Sequence, residues 1–383
     1  MHSKTSKFLA VLIVFFASTQ LGYHFWPLSS LVYGIRIDYL SPTIYFLDLL
    51  IILYLFPQLQ SLQGFRRVFT VFAIVPILLT NLLFSQNSLA TLSWSLHLIL
   101  YLLFFSFLRL NPQKGILKII LTLTLLFQLV LSLAQVYLGH NLGGLMYYLG
   151  ERNVAVGQPS VALGSFMDHV VLRAYGTFGH PNVLAGWLVI TLLILLRLSP
   201  QLQSFAIVVL VSLGVLLTQS RSAVISLFGI IIPFYIFKSL KSRILYFVVL
   251  MVTGSLITIS ISRPISSSSE RLDLQGLSSQ VIKNYPLFGT GAQASISTYP
   301  MVSLSARLLQ PDHNSLTLFL SWFGLFGVLA LLSQLQILQG ARRVFGTFAP
   351  LIPLLLLDHY FLTSPQGLFI ILLYYSHVQK DRE

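Results

Sequence analysis

The chain of 383 residues is too apolar and too poor in charge for a soluble protein. Hydrophobic residues make up 56% of it and charged residues 9%, and its mean hydropathy is +0.83; a soluble domain carries roughly 25% charged residues. The net charge of +13 does not indicate a nucleic-acid partner, because the cations are dispersed without a basic stripe. The absence of cysteine excludes disulfides and thiolate metal sites.

Twelve apolar runs approach the roughly 20 residues that a membrane-spanning helix needs. The first begins at Phe8 and lacks a small-residue cleavage site, so it is predicted to be a retained span rather than a signal peptide. The predicted spans lie near 8–26, 40–56, 68–84, 89–108, 115–138, 180–198, 203–219, 222–237, 243–261, 313–333, 344–358 and 365–378. The predicted fold is therefore all-α, a single integral membrane domain over 1–383 with about 12 transmembrane helices.

The distribution of Lys and Arg predicts the orientation. With the N-terminus inside, 15 of the 23 fall in the inner segments, where cations at span ends are the rule. The eight on the outer side are Arg36, Arg152, Arg173, Arg221, Arg263, Arg271, Lys283 and Arg307. Seven of the eight are arginine, which suits paired hydrogen bonds to phosphate or carboxylate better than lysine does. Both termini are thus predicted to be cytoplasmic, with an anion site facing outward.

Two predicted outer loops are long, one over 139–179 and one over 262–312, and long loops in compact proteins are usually functional or disordered. In the second, a serine run precedes Leu272, Leu277 and Val281, whose spacing predicts an amphipathic helix lying on the membrane surface. Asp48 is the one carboxylate predicted to lie deep in a span, so we expect it to pair with an arginine or to be protonated.

The segment RAYGTFGHPN, from Arg173 to Asn182, leads into the sixth predicted span. Gly176 and Gly179 permit backbone conformations closed to other residues, and Pro181 suits the first turn of a helix. The helix start therefore offers free N–H groups to an anion. An ordinary junction between loop and helix explains the spacing equally well.

The segment TQSRS, Thr218 to Ser222, is a polar break between two apolar runs. An arginine at the membrane boundary is costly unless it is paired or solvated, so Arg221 is a candidate site residue. A snorkelling anchor is the alternative, but the polar neighbours favour a pocket.

Two further candidates lie later in the chain. Arg271 is flanked by Glu270 and Asp273 and alone would be interpreted as a solvated helix charge. His313, in PDHNS, is a candidate general base at an aqueous face. Asp312 is a plausible helix cap, but it is badly placed to orient His313 because adjacent helical residues face apart.

Asp358 and His359 form a second polar pair in the last outer turn. The sequence contains no P-loop, zinc-ligand helix or GxSxG motif, and the outer carboxylates are few. We therefore expect arginines, rather than a metal ion or a cofactor, to neutralise an anionic substrate.

Four of these stretches, in order, resemble the O-antigen ligase/polymerase family: RAYGTFGHPNVLAG, TQSRSAVISL, RLDL…NYPLFGTGAQ and DHNSLTLFLSWFGLFGVL. The resemblance covers residues 170–335. It implies a multi-pass membrane glycosyltransferase with a GT-C-type fold at the outer face of the cytoplasmic membrane. Such an enzyme takes glycan from undecaprenyl diphosphate and passes it to a glycan, lipid or protein acceptor.

The resemblance implies that Arg173, Arg221 and Arg271 bind diphosphate and sugar and that His313 activates the acceptor hydroxyl. Neighbours with weaker support are His180, Asn182, Asn314, Arg307 and His359. Arginine forks would stabilise the leaving diphosphate, and an in-line displacement implies inversion at the anomeric carbon. Ligase and polymerase activity remain open.

Two other function classes compete. A transporter or flippase of lipid-linked glycan would place ionisable residues near the midplane and often shows repeated halves. Here only Asp48 lies deep, and the one internal echo, 65–73 with 341–349, is short. A membrane scaffold would not need seven outer arginines.

Overall fold

The computed structural model describes residues 4–59, 71–108, 114–159, 161–166, 169–198, 201–231, 266–303, 305–337 and 349–380. This part of the chain is mostly helical, as the all-α prediction expects, with a few short strands. Its α-helices are Lys4–Phe16, Phe46–Leu59, Val75–Leu83, Ser88–Phe107, Lys114–Leu138, Leu145–Tyr148, Pro181–Leu198, Gln201–Thr218, Arg221–Val224, Ser266–Asn284, Ser315–Ile337, Ile352–Leu357, Tyr360–Thr363 and Pro365–Lys380.

Four described helices are long and apolar enough to cross a membrane: Ser88–Phe107, Lys114–Leu138, Pro181–Leu198 and Ser315–Ser333. They match the spans predicted near 89–108, 115–138, 180–198 and 313–333. Two shorter apolar helices, Phe46–Leu59 and Phe205–Thr218, match two further predictions in part. The predicted span 243–261 lies outside the described residues, so the total of twelve stays a prediction.

The helix Pro181–Leu198 is the central element of the core. Its residues from Pro181 to Leu195 are all buried, so it is surrounded by protein rather than exposed along one face. It packs against Gln201–Thr218, Pro365–Lys380 and Lys114–Leu138. A helix that is apolar all round and packed on several sides is rigid, and it therefore fixes the segment that precedes it.

Residues 17–45 do not continue a helix. The first helix ends at Phe16, inside the predicted span 8–26. Strand Gly22–His24 pairs antiparallel with Thr43–Tyr45, and a second small hairpin, Leu31–Val32 with Ile35–Arg36, lies between them. The next helix begins only at Phe46, so Asp48 lies in its first turn.

The position and the partner of Asp48 therefore differ from those expected, and the alternative that Asp48 is protonated stays a prediction. It lies at a helix start and not deep in a span, and it pairs with a histidine rather than an arginine. Oδ2 of Asp48 lies 3.0 Å from Nε2 of His97 and accepts a 2.8 Å hydrogen bond from the Tyr45 amide.

The helix predicted in the second loop is present as Ser266–Asn284 and includes the serine run. Its buried hydrophobic residues are Leu274, Leu277 and Val281, whereas Leu272, which was expected on the apolar face, is 69% exposed. The buried face packs into a small core that also contains Leu40 and Tyr299. The apolar face of the helix thus packs against protein, and its place at the membrane surface stays a prediction.

The helix Ser315–Ile337 is interrupted at Gly324, whose φ of 59° is outside the helical range. The interruption makes room for the turn after Asn284. The amide of Leu325 donates to the carbonyl of Pro286, and the amide of Phe326 donates to the carbonyl of Leu287, each at 2.9 Å. A Cβ on Gly324 would lie 2.5 Å from the Leu287 carbonyl oxygen, so only glycine fits.

Candidate active site

Two predicted site segments, RAYGTFGHPN and PDHNS, border a polar cavity of about 570 Å³ together with the Asp358–His359 pair. Its wall comes from four parts of the chain: residues 20–45, the Ser93–His97 stretch, residues 147–183 and a C-terminal group from Gln293 to Leu368. Of the predicted site residues, His180, Asn182, His313 and His359 line it. The cavity therefore unites residues that lie far apart in sequence.

A buried carboxylate faces the predicted base. Nδ1 of His313 lies 3.7 Å from Oδ1 of Asp358, and it forms no hydrogen bond within the described part of the chain. The separation is longer than a hydrogen bond, but catalytic contacts in a free enzyme are often long and shorten when substrate binds. Asp358, rather than the adjacent Asp312, is the residue that can orient the imidazole.

Neutral donors hold Asp358 from two sides. Nδ2 of Asn182 donates to Oδ1 at 2.8 Å, and the Ser222 hydroxyl donates to Oδ2 at 2.5 Å. Burial by itself would raise the pKa of Asp358, but His313, Ser222 and Asn182 together outweigh burial and hold that pKa below its usual value. Asp358, in the turn that follows the helix Ile352–Leu357, is therefore an anion at neutral pH.

Arg173 stabilises this arrangement from behind the cavity wall. Its buried guanidinium donates Nε to the Thr218 carbonyl and Nη2 to Oδ1 of Asn182, both at 2.7 Å. Asn182 in turn donates to Asp358. The RAYGTFGHPN and TQSRS segments are thereby joined, and the cation is linked to the carboxylate through one amide.

Two further imidazoles surround His313. The ring of His359 lies 5.2 Å from the ring of His313 and 5.8 Å from that of Tyr39. Burial first, and then the charge of His313, lower the pKa of His359 to about 3, so it is neutral at physiological pH. Nδ1 of His180 accepts the Asn182 amide proton at 3.1 Å, which leaves Nε2 as a donor.

Two arginines lie close to this group. Arg271 donates from Nη1 to the carbonyl of Leu357, at 3.5 Å, next to Asp358 in the chain. Arg152 lines the cavity and donates to the Gly179 carbonyl at 3.1 Å. Their positive charges both act on His180, so this side of the cavity suits an anionic ligand.

Five predicted residues do not line the cavity: Arg173 and Arg271, described above, and Arg221, Arg307 and Asn314. Arg221 is exposed at the start of its short helix, next to the Ser222 that touches Asp358. Arg307 is exposed and lies 3.8 Å from Asp273. Asn314 caps the helix Ser315–Ile337, since its Oδ1 accepts the amides of Leu316 and Thr317.

Asp312, expected as the cap of that helix, instead accepts hydrogen bonds from the Asn314 amide and the Thr317 hydroxyl. Its carboxylate therefore stabilises the start of the helix from two residues before the cap, Asn314.

Sequence reasoning missed Arg152 and the role of Asp358. Asp358 was recognised only as half of a polar pair, because nothing in the sequence shows that a residue 45 positions after His313 returns to it. The N-terminal wall was also missed, since residues 20–45 show only generic apolar and turn composition. One feature of the sequence could have indicated Asp358: it is a carboxylate at the end of an apolar run, where an unpaired charge is costly.

One comparison with known proteins covers part of the chain. Residues 206–332 match the family described as O-antigen ligase. No match was found among curated protein sequences. The matched range contains Arg221, Arg271, Arg307, His313 and Asn314. With the long apolar helices, the match indicates a membrane protein of glycosyl-transfer type. The match over residues 206–332 therefore supports the O-antigen ligase/polymerase family, in agreement with the motifs of the sequence.

Proposed function

We propose that this protein transfers an oligosaccharide from undecaprenyl diphosphate to an acceptor hydroxyl at the outer face of the cytoplasmic membrane. The acceptor is a glycan, a lipid or a protein. The single observation that carries the proposal is the His313–Asp358 pair in a polar cavity beside cationic side chains. We further propose a GT-C-type fold of about twelve spans, with both termini cytoplasmic.

In the proposed reaction, His313 takes the proton of the acceptor hydroxyl as that oxygen attacks the anomeric carbon. Asp358 stabilises the imidazolium that results. The bond from the anomeric carbon to the diphosphate oxygen breaks, and its electron pair leaves with the diphosphate. A direct attack from the side opposite the leaving group inverts the configuration.

The negative charge of the leaving diphosphate must be stabilised by cations and hydrogen-bond donors, without transfer of a proton to it. Arg152 lines the cavity, Arg271 donates to the carbonyl of Leu357 next to Asp358, and His180 offers a neutral N–H donor. Donors fixed in advance at developing negative charge supply a large share of catalysis in such sites. We propose that these groups, with exposed Arg221, replace a metal ion, whereas Arg173 positions Asn182 and Asp358. His359 is proposed to contact substrate as a neutral ring.

Arg307 and Asn314 are left out of this proposal. Arg307 is engaged with Asp273, and the side chain of Asn314 is used in capping a helix.

The test uses purified protein in liposomes, an undecaprenyl-diphosphate-linked oligosaccharide and several hydroxyl acceptors, with EDTA present. We expect glycan transfer with inverted configuration. His313→Ala should lower kcat by about 10²- to 10⁴-fold, the usual contribution of a positioned base. Asp358→Asn should cause a loss of similar order, because the imidazolium loses its counterion. Arg271→Ala and Arg221→Ala should also lower transfer.

Matched controls are His169→Ala and Arg36→Ala, whose exposed side chains do not line the cavity; both should transfer normally. A product of retained configuration would contradict the direct displacement. Loss of transfer in EDTA that returns with Mg²⁺ would contradict the metal-independent mechanism. Movement of the lipid-linked glycan across the bilayer without any covalent product would instead favour a flippase.

A further inference from the structure

A second carboxylate–histidine pair borders the same cavity, on its N-terminal side. His97 lines the cavity together with Tyr45. Its Nε2 lies 3.0 Å from Oδ2 of Asp48, and the same oxygen accepts the Tyr45 amide. The proposed reaction needs only one base, which His313 supplies, so this pair requires a different explanation.

The Asp48 contact fixes which nitrogen of His97 is free. A carboxylate accepts the Nε2 proton, so in the neutral imidazole Nδ1 presents a lone pair. Nδ1 forms no hydrogen bond within the described part of the chain. It is also not fully buried, so a ligand can reach it. Its acceptor capacity is therefore available to a molecule in the cavity.

A hydroxyl on the same helix stands next to it. Ser93 lies four residues before His97 in the helix Ser88–Phe107, so the two side chains share one face. Both line the cavity. The ring of Tyr45 lies 5.4 Å from the ring of His97 and forms part of the same wall. This region offers neutral hydrogen-bonding groups beside an aromatic ring, whereas the Arg152 region is cationic.

Neighbouring hydroxyls on a sugar ring match this pattern. Each is both donor and acceptor, so one can donate to an imidazole nitrogen while the next exchanges a hydrogen bond with a serine hydroxyl. Ligand pockets generally use a few such polar groups within an aromatic or apolar wall to fix orientation. A phosphate would gain nothing here, since an imidazole lone pair repels an anion.

We infer that Ser93 and His97, with His97 oriented by Asp48, form a subsite for a sugar ring of the substrate glycan. The inference rests on the proposed function for the identity of that glycan, which belongs either to the donor or to the acceptor. Asp48 is a positioning residue, because it acts through His97.

The test measures KM for donor and for acceptor separately in His97→Ala and Ser93→Ala. We expect KM for one of the two substrates to rise about tenfold in His97→Ala and about fivefold in Ser93→Ala, the effect of losing one hydrogen bond each. The change in kcat should stay within about threefold. The substrate whose KM rises is the one that occupies the subsite.

The matched control is Ser95→Ala, in the same helix but with a buried hydroxyl that does not line the cavity; its KM values should not change. Unchanged KM values for both substrates in His97→Ala would overturn the inference, as would a loss confined to kcat. If His97→Ala does not fold, Ser93→Ala alone decides between these outcomes.

The inference can fail separately from the proposed function. If the unaltered protein transfers no glycan, its binding of the free oligosaccharide is measured by calorimetry. Weaker binding in His97→Ala than in Ser95→Ala would still support a sugar subsite, and equal binding would reject it.

Discussion

At the scale of single residues, the centre of the site is a carboxylate rather than an arginine. Asp358 receives hydrogen bonds from Asn182 and Ser222 and faces His313. Arg173, which the sequence indicated as a ligand of diphosphate, is buried and binds Asn182 and a backbone carbonyl. The sequence could identify the polar segments, because cations at a membrane boundary need partners. It could not identify the partners, because they come from distant parts of the chain.

The lowered pKa of His359 predicts how the stability of the folded protein depends on pH. The low pKa of about 3 in the folded protein, against about 6.5 when unfolded, means that the unfolded chain binds the extra proton first. The contribution of neutral His359 is thus complete above pH 6.5 and declines as the pH falls toward 3. Asp358, also of lowered pKa, acts only in the most acidic part of that range.

We therefore expect the thermal unfolding midpoint to fall between pH 7 and pH 5, and to fall less in His359→Asn. In the control His140→Asn, an exposed histidine outside the cavity wall is replaced, and the dependence should equal that of the unaltered protein. Equal pH dependence in His359→Asn and the unaltered protein would contradict a neutral, buried His359.

At the scale of elements, composition located the long apolar helices well but misplaced one end of each of two shorter helices. The helix Pro181–Leu198 begins at the proline that the sequence indicated. By contrast, the predicted span 40–56 begins at Phe46, because residues 43–45 pair with residues 22–24 as strands. Strand pairing depends on a distant segment, so local hydropathy cannot reveal it.

Gly324 supplies a prediction for one element. Gly324→Ala should destabilise the protein by about 2–4 kcal/mol, because a side chain is strained at positive φ and would collide with the Leu287 carbonyl. The matched control is Gly276→Ala, in the middle of the helix Ser266–Asn284, where an added Cβ meets nothing within 4 Å.

The control should be neutral or slightly stabilising, since alanine favours a helix over glycine. Thermal unfolding in one detergent measures both variants. Similar midpoints for Gly324→Ala and Gly276→Ala would show that the turn 286–291 does not pack into this kink.

At the scale of the whole molecule, the cavity joins both ends of the chain. The family match over 206–332 includes His313 but neither the N-terminal wall nor Asp358. Residues 20–45 contribute Gln20, His24 and Tyr39, and Gln20 donates to Gln366 at 3.4 Å. The part of the chain that resembles a known family therefore holds only a portion of the cavity wall.

The orientation inferred from charge can be tested directly, because the chain has no cysteine. In intact cells, Leu28→Cys should react with a maleimide reagent that does not cross membranes, since Leu28 is 87% exposed in the predicted outer segment. Lys114→Cys, exposed in a predicted inner segment, should react only after permeabilisation. The reverse labelling pattern would place the cavity on the cytoplasmic side and reject the proposed outer location.

The sequence alone determined that the protein is helical and membrane-embedded, which segments are polar, and that His313 is the candidate base. These conclusions rest on hydropathy, charge and motif order, which are local properties of the chain. Only the tertiary structure decided that Asp358 faces His313, that Arg173 supports rather than lines the cavity, and that Asp48 with His97 borders it. Each of these contacts joins residues between 9 and 49 positions apart, and such pairing depends on how the helices pack.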